Sequence, residues 1–186
     1  METKRILVIE DNQKHRADAK AFFADKPEYK VDYAGSGIGG IHTLVGGSQI
    51  NAPLEWLKNN GYIKTRHVGV ITDVFMPWDS SHFTQEAPIG FTIAKLCLDM
   101  SIPVVMNTTA NHHGKNFQWM NELLPILGFD RKQLIDGNDV LDLVDREEWS
   151  KAFDTERENG ALIELSVKNW ARALEMLERQ MNKTKS

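Results

Sequence analysis

Cysteine is nearly absent from this chain of 186 residues, and the single one, Cys97, excludes a disulfide within the chain and any CxxC metal or redox motif. Its setting is apolar and helix-like, so the thiol reads as core packing. No run of Lys and Arg is long enough to track a phosphate backbone. With a net charge of −4, direct nucleic-acid binding is not expected. No stretch approaches ~18 uninterrupted apolar residues, which excludes an ordinary membrane-spanning helix. The opening residues turn acidic at Glu10-Asp11, too soon for a secretory signal, so the expectation is a cytoplasmic protein. What remains is the composition of an ordinary globular domain, 41% hydrophobic and 26% charged.

Short β-branched runs alternate with helical patterns. Arg5 to Glu10 and Tyr29 to Ala34 read as strands, with an amphipathic helix from Gln13 to Lys26 between them that stops at Pro27. Gly35, Gly37, Gly39 and Gly40 follow. No lysine follows them in the manner of a phosphate loop, so they read as a flexible turn ahead of helical stretches at Ile41–Val45 and Pro53–Asn60. Val68 to Thr72 is a third strand. A polar loop from Trp78 to Ala87 leads to a helix over Ile89–Met100, and Val104–Met106 is a fourth strand. Asn116–Leu127 reads as a helix capped by Gly128, and Gln133–Ile135 as a weak fifth strand. Asp145 and Glu148 have capping-box spacing. Leu162, Leu165, Trp170, Leu174, Leu177 and Met181 place one apolar stripe on a long last helix. The stripe is core in this reading, with Trp170 and Met181 able to extend it into a homodimer face. Apolar strands alternating with helices indicate an α/β protein with a parallel sheet covered on both faces.

The polar residues collect at the carboxyl ends of those strands, where such sheets bind ligands. Strand one ends in Glu10-Asp11, strand three in Asp73, and strand four in Asn107-Thr108-Thr109. If strands one and three are neighbours, three carboxylates meet, and like charges that close require a proton or a cation between them. An all-oxygen set suits Mg2+, with Mn2+ as the alternative ion. An aspartate in such a site can serve as a nucleophile. Pro77, in the Met76-Pro77 pair, holds the loop after Asp73 open. His82, His112 and His113 lie on loops at the same sheet edge; solvation is the plain reading, and a transition-metal site or a replacement cation the sharper one.

Three motifs in order, "ILVIEDN" (Ile6–Asn12), "DVFMP" (Asp73–Pro77) and "IPVVMNTT" (Ile102–Thr109), make the chain resemble the response-regulator receiver domains of two-component signalling. Gly90 stands where that family's glycine after Met-Pro would be displaced to. The resemblance implies a flavodoxin-like doubly wound sheet of five strands in the order 2-1-3-4-5, within a single domain spanning 1–186. Its core would run over about 4–135 and a closing helix over about 161–183, with an insertion at about 138–160. It implies that Asp73 accepts a phosphoryl group from a histidine kinase or phosphotransfer protein. Glu10, Asp11, Asp73 and the backbone carbonyl of Phe75 would hold Mg2+, and Thr108 would contact the phosphoryl group as a switch. The output would pass to a downstream protein partner rather than a fused module, and no enzyme activity beyond self-dephosphorylation is expected. The family's lysine at the end of strand five has no counterpart in Gln133-Leu134-Ile135-Asp136-Gly137, and neither Lys115 nor Lys132 is placed to replace it. That gap motivates the alternative of a pseudo-receiver that binds a protein and is not phosphorylated. A haloacid-dehalogenase-type phosphatase is disfavoured because Phe75 stands where its second aspartate belongs.

Overall fold

A computed structural model of the chain describes residues 3–46, 65–79, 87–107 and 168–183. Among them the strands are β1 (Lys4–Ile9), β2 (Tyr29–Ala34), β3 (Gly69–Thr72) and β4 (Val104–Met106). The helices are α1 (Gln13–Ala24), α2 (Gly37–Val45), α3 (Ile89–Asp99) and α4 (Trp170–Lys183). The strands form one parallel sheet in the order β2-β1-β3-β4. The expected fifth strand at 133–135, the 138–160 insertion and the capping pair Asp145/Glu148 lie outside the described residues.

Each β-strand sends alternate side chains to opposite faces, and the two faces carry separate cores. Leu7, Ile9, Val70, Val104 and Met106 pack with Ile41 and Leu44 of α2 and with Phe91, Ile93, Ala94 and Cys97 of α3. Ile6, Val8, Ile71 and Val105 pack with Ala19 and Phe23 of α1 and with Trp170, Leu174, Leu177 and Met181 of α4. Cys97 is buried, as its sequence setting implied. Trp170 and Met181 are also buried in the chain's own core, so neither side chain is exposed to form a dimer face. No helix among the described residues is long and apolar enough to cross a membrane.

Two sequence readings are corrected here. The glycine tract is not a loose turn, because α2 already begins at Gly37. A β-carbon on Gly40 would sit 2.4 Å from Ile9 Cδ1, and one on Gly37 would sit 2.4 Å from Ile89 Cγ2. The low helix propensity of glycine is outweighed because only glycine lets α2 lie this close to β1 and α3. The first-turn amides of α2 are also occupied. Gly37 and Ile38 donate to the carbonyls of Pro77 and Trp78 at 3.1 and 2.7 Å, and Gly39 donates to Ser36 Oγ at 3.2 Å. They leave no free amide cradle for a phosphate.

The last helix is the second correction. Lys168 and Asn169 are not helical, so the helix that begins at Trp170 does not run unbroken from near residue 161. Asn169 Oδ1 accepts the Arg172 amide at 2.9 Å, a capping bond that fixes this start.

Candidate functional site

The strand order reverses between β1 and β3, and the crevice at that point is where a doubly wound sheet presents a ligand site. Backbone pairing continues one residue past the strands. Glu10 donates its amide to Ala34 at 2.9 Å, Asp73 to Ile9 at 2.9 Å, and Asn107 to Thr72 at 2.8 Å. Glu10, Asp73 and Asn107 therefore stand abreast on β1, β3 and β4. Carboxylate oxygens of Glu10, Asp11 and Asp73 all lie within 4.8 Å of one another. The sequence-based trio is thus brought together.

A residue the sequence reading did not find sits among them. The Nζ of Lys168 donates to Asp73 Oδ2 at 2.6 Å and to Glu10 Oε2, and its side chain is fully buried. The expectation that no lysine reaches the acids is corrected: one does, from the residues just before α4 rather than from 133–137. The sequence held a signal for it. Ile163, Leu165 and Val167 alternate with Glu164 and Ser166 and run straight into Lys168, a period-two pattern that also satisfies a helical stripe.

The remaining hydrogen bonds hold the acids in place. Glu10 Oε1 accepts the Asn12 amide at 3.0 Å, and Asn12 Oδ1 in turn caps α1 by accepting the Lys14 and His15 amides. Asp73 Oδ1 accepts the Val74 amide at 2.6 Å. Arg16, also unanticipated, donates Nη1 to the carbonyls of Glu10 and Asp11 at 2.5 and 3.0 Å. The first turn of α3 abuts the backbone of Asp73 and Val74. Gly90 donates its amide to the Val74 carbonyl at 3.0 Å, and Met76 and Ala87 exchange backbone bonds of 3.1 and 3.2 Å. Phe75 lies half-buried against the α2/α3 core. Thr108, His82, His112 and His113 lie outside the described residues, as do Lys115 and Lys132.

The donor set fits a hard divalent cation, being three carboxylates in reach of one another. Lys168 takes up one oxygen each of Glu10 and Asp73, while the Asp11 carboxyl is met by backbone amides of Asp11 and Asn12.

Sheet order and helix placement together decide the class. The fold is flavodoxin-like. No family model and no curated protein matches the sequence. Among solved structures, the receiver domain of the histidine kinase CKI1 from Arabidopsis thaliana, complexed with Mg2+ and BeF3-, is 18% identical, with a TM-score of 0.44 over 68% of this chain and 77% of that one. The P1 domain of CheA3 in complex with CheY6 from R. sphaeroides gives 15% identity and a TM-score of 0.41 over 70% and 80%. The chemotaxis response regulator CheY4 of Vibrio cholerae gives 19% and 0.38 over 68% and 82%. Likenesses this distant carry no chemistry, which rests on the side chains of the site itself.

Burial dominates the electrostatics of that site. It pushes the Glu10 carboxyl up to about 7, with the Lys168 ammonium opposing and the Asp73 charge adding to the rise. Burial and Asp73 likewise raise Asp11. The sign for stability follows directly. Below the ordinary value of 4.5 both folded and unfolded chains hold the Glu10 proton, and above about 7 neither does. Between those limits only the folded chain holds it, so stability falls as pH rises through the window, by about 3 kcal/mol. Urea melts from pH 4.5 to 8 are expected to show this slope in wild type and to lose most of it in Glu10→Gln. Equal slopes in the two proteins would contradict the assignment.

Proposed function

We propose that this chain is a phosphoacceptor of the response-regulator type, with Asp73 as the acceptor. The observation that carries the reading is the bridging of Asp73 and Glu10 by the buried Lys168 ammonium, inside a trio of carboxylates at the switch point of the sheet. The donor is a phosphohistidine on a histidine kinase or phosphotransfer protein. An Asp73 carboxylate oxygen forms a bond to phosphorus as the P–N bond breaks, and the imidazole leaves with a proton. Glu10, Asp11, Asp73 and the Phe75 carbonyl would hold Mg2+, which when bound would offset the charge of the carboxylates and of the phosphoryl oxygens. Lys168 stays paired to the acceptor and meets the phosphoryl group as its new anionic partner. Thr108 is assigned the remaining hydrogen bond and the switch role. The added dianionic charge is then read by a downstream protein.

The missing strand-five lysine and the expanded loops motivate the unphosphorylated binding-module alternative, and Lys168 favours the phosphoacceptor reading on the first of these counts. Incubation with Mg2+ and acetyl phosphate, followed by intact mass, is expected to give one phosphoryl adduct on wild type. Neither Asp73→Asn nor chelated wild-type samples should carry it. A wild type that gains no adduct, or an Asp73→Asn variant that gains the same one, would return the protein to the binding-module reading.

A further inference from the structure

Asn107 is 1% exposed, and among the described residues neither Oδ1 nor Nδ2 of its carboxamide has a hydrogen-bond partner. A buried amide left without partners is destabilising, and native chains seldom retain one unless something else fills it. Its location says what that is. Val8, Ile71 and Val105 point to the α1/α4 face, and two residues further along each strand come Glu10, Asp73 and Asn107. Alternation keeps these three on that same face, where Lys168 reaches the first two. Strand β4 flanks β3 on the side opposite β1, so Asn107 adjoins Asp73 from the side away from Glu10 and Asp11. Neighbouring strands lie about 4.8 Å apart, so a group added to the Asp73 carboxylate comes within reach of the carboxamide.

We infer that Asn107 is a ligand-contacting residue whose Nδ2 donates a hydrogen bond to the tetrahedral anionic group carried by Asp73, on the flank opposite the cation. The inference rests on the reading of Asp73 as the phosphoacceptor. Asn107 is therefore held ready at a loss to the ligand-free protein, and the loss is returned when the oxygen arrives. A purely structural amide would behave in the opposite way, because removing it would weaken the unliganded fold and leave the ligand unaffected.

Beryllofluoride, a mimic of the phosphoryl group on a carboxylate, separates these outcomes when titrated in Mg2+ and followed by fluorine NMR, with urea melts of the unliganded proteins alongside. Asn107→Leu, close in shape and apolar, is expected to be as stable as wild type or more stable, yet to bind beryllofluoride roughly 10- to 100-fold more weakly, the usual effect of losing one hydrogen bond to a charged group. Asn107→Ala cannot overpack the site and should lose the same affinity. Wild-type affinity in both variants overturns the Asn107 assignment and leaves Asp73 as acceptor. A wild type that binds no beryllofluoride overturns the acceptor reading and this inference with it.

Discussion

Lys168→Ala is expected to destabilise the folded chain by about 3–5 kcal/mol at pH 8, the range for removing one partner of a buried ion pair. The reason is what it leaves behind. Glu10 is wholly buried and Asp73 nearly so, and without the ammonium their charges face each other with only the Asn12 and Val74 amides for compensation. A proton can take the place of the ammonium on Glu10, whose carboxyl already holds its proton up to about 7. The loss should therefore be clearly smaller at pH 5 than at pH 8. Lys168→Met combined with Glu10→Gln removes the charge on both sides and should recover most of the stability. Millimolar Mg2+ should stabilise Lys168→Ala more than wild type, since the ion binds the folded acids and not the unfolded chain. Urea melts at the two pH values, with and without Mg2+, check all of this. A cost that is the same at pH 5 and pH 8 would show that Lys168 acts through packing and not through charge.

Gly90→Ala should cost roughly 3 kcal/mol or more, at or above the usual top of the range for overpacking a core. A β-carbon there would lie 2.0 Å from the Asp73 carbonyl oxygen and 2.7 Å from Val74 Cα. Both are backbone atoms and cannot rotate away, so either α3 lifts off the sheet or the Asp73 peptide shifts. The second route moves the acceptor itself, and phosphoryl uptake from acetyl phosphate should fall along with stability. Gly39→Ala is the matched control. Its nearest neighbour would be Ser36 Oγ at 3.1 Å, a contact that a shift of a few tenths of an ångström relieves, so the change should stay within about 1 kcal/mol. If Gly90→Ala melts and phosphorylates like Gly39→Ala, the close approach of α3 to the acceptor has no bearing on the site.

The four described strands were legible because each is a short, nearly all-apolar run closed by a polar residue, the pattern a sheet buried on both faces imposes. The acids were legible for the same reason: a carboxylate at the end of such a run has no place in a core and must have a use. Lys168 was not, because the residues before it satisfy two periods at once. Leu162 and Leu165 extend the stripe of Trp170, Leu174, Leu177 and Met181, and only the capping bond of Asn169 shows where helix begins. Helix α2 was obscured by its glycines, whose presence is explained by Ile9 and Ile89, side chains remote in sequence. Asn107 was passed over for Thr108 because an amide looks unremarkable until its burial and lack of partners are known.

The backbone exchange between Met76 and Ala87 has a consequence for how this molecule tolerates change. It ties the residue three positions after the acceptor to the entry of α3, and the Gly37 and Ile38 amides of α2 hold the Pro77 and Trp78 carbonyls that follow. A substitution that disturbs either the start of α2 or the entry to α3 would therefore be felt in the backbone that follows Asp73, even though it touches no acid.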